Sequence, residues 1–236
     1  MRVSALLMFA ACGLARADVA YDNFGPGSTF SGNGFLVTGP GQPSTWWTHA
    51  FPITPTLSGQ ITTVTVALHH LAGATNNYTY ELRSDAGGSP GPVLATLGQA
   101  AGFIGGSVPI QFAANPGATI TAGTQYWIYA RGEGDATGTW RTSLTTGGFR
   151  AYSFNGGSTF TVTPLSPTDA QGAVRIEVAG SCYADCDGVG GLTGNDFQCF
   201  LDKYVTGDAY ADCDGVGGLT GNDFQCFVNK YVAGCT

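Results

Sequence analysis

The nine residues Thr62–His70, TTVTVALHH, alternate between two kinds of side chain. Val64, Val66 and Leu68 fall on one side, and Thr63, Thr65 and Ala67 on the other. Side chains of an extended chain point alternately to opposite faces, so this pattern marks a strand with one buried face. Working outward, NYTYELR (77–83) sets Tyr78, Tyr80 and Leu82 inward against Thr79, Glu81 and Arg83. AVRIEV (173–178) sets Val174, Ile176 and Val178 against Arg175 and Glu177. Further strands are predicted near 46–53, 92–97, 107–113, 124–131, 138–144, 149–154 and 158–163, separated by Gly, Pro, Asn and Asp. About ten strands with one polar face each predict an all-β, two-sheet antiparallel sandwich of jelly-roll-like type. It occupies residues 18–180, enough chain to bury a core without disulfides.

Composition agrees. Gly accounts for 37 of 236 residues and charged residues for 11%, too apolar for disorder and too rich in glycine for a helical bundle. The stretches YDNFGPGSTFSG (21–32), YELRSDAGGSPGPVLATL (80–97), AGTQYWIYA (122–130) and RAYSFNGGSTFTV (150–162) resemble a group of secreted bacterial domains called choice-of-anchor proteins. The resemblance implies an exported β-sandwich joined to a C-terminal attachment device. It carries over no catalytic residues.

The first residues read differently. MRVSALLMFAACGLARADVA has a basic Arg2, an apolar run from Val3 to Leu14, and then Ala15-Arg16-Ala17. This predicts a Sec-type signal peptide, residues 1–17, cut after Ala17. The run is short for a membrane span, and no other stretch qualifies. The protein is therefore expected to be secreted or at the cell surface. Losing Arg2 and Arg16 moves the formal net charge from −7 to −9, with −6 of it in residues 181–236. That sign argues against a nucleic-acid partner and suits a cation site.

Residues 181–236 form a second domain built on a repeat. YADCDGVGGLTGNDFQCF occurs at Tyr183–Phe200 and again at Tyr210–Phe227, with a period of 27. A helical pattern follows each glycine-rich stretch. Phe197, Phe200, Leu201 and Tyr204 share one helical face, as do Phe224, Phe227, Val228 and Tyr231, and Gly207 and Gly234 stand where the helices should stop. Each short helix can bury its aromatic stripe only against the other, which accounts for two copies.

The loops match a twelve-position, EF-hand-type calcium template, with side-chain oxygens at 1, 3, 5 and 12, a carbonyl at 7 and glycine at 6. The first loop offers Asp185, Asp187 and Asp196 at 1, 3 and 12, with Gly191 at 7 and Thr193 at 9. The second offers Asp212, Asp214 and Asp223, with Gly218 and Thr220. Leu192 and Leu219, at position 8, should pack toward each other's half. Position 5 is Val189 or Val216, which donates no oxygen. Up to two Ca²⁺ ions are expected, bound weakly; the rival expectation is a stapled helix pair with vestigial loops.

In this pattern the tail resembles the dockerin family, in a cysteine-bearing variant. The resemblance implies docking through a helix face onto a cohesin-like partner, in two orientations because the halves match. Asp202, Lys203, Asn229 and Lys230 are the candidate contacts. Six cysteines in the tail, Cys182, Cys186, Cys199, Cys213, Cys226 and Cys235, read as three disulfides. Pseudo-symmetry favours Cys182–Cys235 as a clasp; the inner four pair within halves or across them.

For the sandwich, no nucleophile or metalloprotease motif is present. Glu81 and Glu177 alternate with arginines on strand faces expected to be exposed, and Glu133 with Asp135 in RGEGDATG is the best carboxyl pair for a polysaccharide-processing enzyme. A non-catalytic domain is the expectation. The stronger rival is a carbohydrate-binding module for an extracellular glycan, with Trp46, Trp47, Trp127, Tyr129 and Trp140 as stacking rings. His49, His69 and His70 are read as structural.

Overall fold

The computed structural model describes residues 17–42, 46–102, 106–179, 183–187 and 192–234. Residues 1–16 of the expected export signal, the expected Cys182–Cys235 clasp, Val189 and Gly191 lie outside the described residues. The chain divides into two compact units, Ala17–Ala179 and the C-terminal segment.

Among its described residues the first unit holds fourteen strands: β1 Ala17–Asp22, β2 Gly34–Thr38, β3 Thr48–Ile53, β4 Gly59–Ala72, β5 Asn77–Asp85, β6 Pro90–Ala101, β7 Val108–Ala113, β8 Thr119–Ile120, β9 Tyr126–Gly132, β10 Thr137–Thr146, β11 Phe149–Ser153, β12 Thr161–Pro164, β13 Ala170–Gly172 and β14 Val174–Ala179. They form two sheets, and the ladders are antiparallel. One sheet runs β1-β14-β4-β10-β13, with β2 on β10 and with β7 and β8 on β4; the other runs β12-β11-β3-β9-β5-β6.

The opening stretch lies in β4, the longest strand, and organises the first sheet. Thr63–Val66 pair with β14 on one side and β7 on the other, and Leu68 pairs with Trp140 of β10 and Val108 of β7. Val64, Val66 and Leu68 are fully buried in one core with Tyr78, Tyr80, Leu82, Val174, Ile176 and Val178. The inward sets expected from the three alternating segments thus meet. Trp140 is central, edge-on to Phe51 at 4.9 Å and to Tyr80 at 5.3 Å. Its indole N–H donates to the Ala173 carbonyl at 3.0 Å, which satisfies its one polar group. Gly172 leaves room for it: a Cβ there would lie 2.6 Å from the Trp140 ring and 2.7 Å from that of Phe51.

The outer face of the second sheet differs from expectation. Thr79 and Glu81 are buried rather than exposed. Trp127, Tyr129, Ala50 and Ala151 form a second apolar cluster there, joined by Phe160 and Val162. The chain between β11 and β12 covers this face: Gly157 lies so close to Tyr129 that a Cβ would meet its hydroxyl at 2.8 Å. Arg83 crosses the Tyr129 ring at 4.5 Å and reaches Glu81 at 2.9 Å. The uninterrupted apolar run YWIYA carries the sequence signal for a strand buried on both sides.

Among its described residues the second unit has two α-helices, α1 Gly194–Thr206 and α2 Gly221–Ala233. Gly207 and Gly234, at φ +77° and +80°, end them as predicted. Phe200 and Phe227 stack face to face at 3.9 Å and are fully buried. Phe197, Tyr204, Phe224, Tyr231, Leu192 and Leu219 pack around them. The disulfides described are Cys186–Cys199 and Cys213–Cys226, so the inner four cysteines pair within halves. Disulfides of this kind belong to oxidising, extracytoplasmic surroundings. Among the described residues no helix is long and apolar enough to cross a membrane.

Candidate metal centre

Each loop is aimed by the helix that follows it. Thr193 caps α1: its hydroxyl accepts from the Asn195 N–H at 3.2 Å, and Asp196 reaches back to the Thr193 N–H at 2.7 Å. This capping box satisfies N–H groups that a helix start leaves open and fixes the Asp196 carboxyl over the loop. Its other oxygen accepts from the Asp187 N–H at 3.2 Å. The second half repeats the arrangement. Thr220 caps α2, and Asp223 accepts from the N–H groups of Thr220 at 2.8 Å and Asp214 at 3.1 Å. Between them Gly215, Gly217 and Gly218 adopt φ of +69°, +77° and +74°, which glycine alone takes at little steric cost.

The result is two triads. Carboxylate oxygens of Asp185, Asp187 and Asp196 lie within 4.8 Å of one another, as do those of Asp212, Asp214 and Asp223. Asp196 and Asp223 are fully buried. The Asp212 Oδ1 atom is buried without a hydrogen-bond partner. Burial pushes the Asp196 carboxyl up, but hydrogen bonds from the Thr193 and Asp187 N–H groups and the Thr193 hydroxyl outweigh it and leave the pKa below the ordinary carboxylate value. Hydrogen bonds from the Thr220 and Asp214 backbone hold Asp223 below that value too. Both stay ionised at neutral pH, as cation ligands must.

These six aspartates are the ones the loop spacing singled out. Thr193 and Thr220, at position 9, also cap the helices, each hydroxyl accepting from the N–H two residues on. Val216 is 69% exposed and turns away, so position 5 of the second loop adds nothing. The donors are carboxylate oxygens, and the four described cysteines are tied up as disulfides. Such a set suits a hard cation such as Ca²⁺ rather than Zn²⁺.

A feature the sequence did not disclose joins the halves. Tyr183 and Tyr210 stack at 4.9 Å, nearly parallel, and each hydroxyl donates to the other's backbone carbonyl. Lys230 lies 4.2 Å over Tyr183, and Lys203 lies 5.0 Å over Tyr210. Burial, then Tyr210 and the charges of Asp223 and Asp212, push Tyr183 up to about 12; burial, then Asp185 and Asp196, raise Tyr210. Each tyrosine thus borders the triad of the opposite half. Of the candidate docking residues, Asp202, Asn229 and Lys230 are exposed and Lys203 half-buried. Val205 and Val232, 27 residues apart, are 82% and 81% exposed.

The other candidates lie in the two-sheet unit. Glu133 accepts from the Thr79 hydroxyl at 2.6 Å and pairs with Arg131 at 3.3 Å. Asp135 receives the Ala74 and Thr75 N–H groups, which draw its pKa down to about 2. Both carboxyls are already engaged, Glu133 by β5 and β9 and Asp135 by the turn between β4 and β5. Trp127, Tyr129 and Trp140 are buried and offer no stacking platform, while Trp46 and Trp47 are half-buried. His70 contacts the Tyr78 hydroxyl at 2.8 Å and His69 contacts Arg141 at 2.7 Å. No family model and no curated protein matches the chain.

Proposed function

We propose that the C-terminal unit is a calcium-binding attachment module of dockerin-like kind. The two-sheet domain, a jelly-roll-like β-sandwich, is the exported, non-catalytic cargo that it displays. The observation that carries this reading is the pair of carboxylate triads, each fixed by a capping box at the start of its helix. Three carboxylates so close repel one another, and a divalent cation converts that repulsion into attraction. Without an oxygen at position 5, each site holds Ca²⁺ weakly. A cohesin-like receptor is the partner that suits the tail. The matched, exposed Val205 and Val232 support a docking face available in two equivalent orientations.

The test is calorimetric titration of the full oxidised chain with Ca²⁺, alongside helical circular dichroism. Heat approaching two ions per chain is expected, and Asp196→Asn with Asp223→Asn should abolish it. Absence of heat and of any helical change in the unaltered chain would sink the calcium reading.

A further inference from the structure

The two-sheet domain holds five arginines and no lysine. Arg83, Arg131 and Arg175 pair with Glu81, Glu133 and Asp22. Arg141 bonds to Ser107, His69 and the Gly32 carbonyl. Arg150, on β11, has ring contacts only: its guanidinium lies 4.7 Å over Phe35 and 5.3 Å over Tyr152. None of its five N–H donors meets an acceptor among the described residues. It is half-buried, where a charge held on aromatic faces is strengthened by reduced hydration.

Its surroundings are aromatic and partly open. Phe154 is 51% exposed and stands edge-on to half-buried Trp47 at 4.4 Å and to Tyr152 at 5.3 Å. His49 lies beneath, stacked on Trp47 at 6.2 Å and across the ladder from Tyr152. It is 2% exposed, and its Nδ1 has no hydrogen-bond partner. Buried nitrogens are seldom left so, and an unpaired one calls for a water or a ligand group.

A free guanidinium fork selects a planar or tetrahedral oxyanion. Exposed rings beside it select the flat apolar face of a sugar. We propose that Arg150, Trp47, Tyr152 and Phe154, backed by His49, form a binding site for an anionic glycan, a pyranose ring carrying a carboxylate or sulfate group. The anion takes the Arg150 fork and the ring lies against Trp47 and Phe154. This site is separate from the expected platform at Trp127 and Tyr129, and it does not depend on the calcium reading.

The test uses the full oxidised chain in chelator at physiological ionic strength, so that metal neither bridges the glycan nor loads the tail. Trp fluorescence and calorimetry follow titration with an oligogalacturonate, a sulfated glycosaminoglycan fragment and a neutral cello-oligosaccharide. Binding of either anionic probe, with the neutral one at least about tenfold weaker, is expected for a charge-assisted contact. The better of the two names the anion. Arg150→Gln should cost about tenfold or more, Arg150→Lys less, since a point charge remains. Phe154→Ala removes a largely exposed ring, should leave the fold intact, and should weaken binding several-fold. Failure of both anionic probes to bind, equal binding of the neutral one, or unchanged binding by Arg150→Gln and Phe154→Ala would overturn the proposal.

Discussion

Removing one disulfide from the tail tests what holds it together. The perturbation is Cys186→Ser with Cys199→Ser, compared with Cys213→Ser with Cys226→Ser. Each bridge spans a sequence separation of 13, and closing a loop of that length removes unfolded-chain entropy worth about 3 kcal/mol at 25 °C. A unit of about fifty residues draws only about 3–5 kcal/mol from its core. One lost bridge should therefore bring the metal-free tail close to its unfolding midpoint without denaturant. The assay is urea unfolding in chelator, followed by the helical signal. All four tryptophans, Trp46, Trp47, Trp127 and Trp140, lie in the two-sheet domain, so their fluorescence reports that domain separately. Equal losses from the two double variants are expected, with the Trp transition unmoved. A loss below about 1 kcal/mol, or clearly unequal losses, would refute the chain-entropy reasoning.

Two further outcomes concern the two-sheet domain. Gly172→Ala drives a methyl into the Trp140 and Phe51 rings and should cost about 1–3 kcal/mol, read from the Trp-monitored urea midpoint; an unchanged midpoint would contradict the packing described. Burial, with the Arg150 charge beside it, pushes His49 down from 6.5 to about 3. The unfolded chain then takes up a proton that the folded chain refuses. Stability should be full above about 6.5 and fall as pH drops toward 3, by at most about 1.4 kcal/mol per pH unit. His49→Gln should flatten that slope, and an unchanged slope would assign the titration elsewhere.

Much of this was legible in sequence because period and spacing are local. Val64, Val66 and Leu68 announce β4, and the spacing of Asp185, Asp187 and Asp196 announces a carboxylate triad. What was not legible depends on distant chain. Glu81 reads as a polar position on an outer face; that face is closed by residues near Gly157, which the alternation within β5 cannot foresee, and only the unbroken apolar run of β9 hints at it. The isolation of Arg150 is likewise a property of three-dimensional neighbours. The sequence places it beside Ala151 and Tyr152, but only the fold puts Phe35 beneath it and pairs Glu81, Glu133 and Asp22 with other arginines. The disulfide pairing within halves was one of two symmetric options, and the loop-to-helix geometry decides it.

The exchanged hydroxyls of Tyr183 and Tyr210 make the contact between halves isologous: each half presents to the other the surface it receives. A half-tail is therefore complementary to any half-tail, including one on a neighbouring molecule. What keeps the pairing within one chain is the short connection through Gly207 and Asp208, which holds the partner at an effective concentration in about the millimolar range. At chain concentrations approaching that range, exchange of halves between molecules would compete with the closed tail.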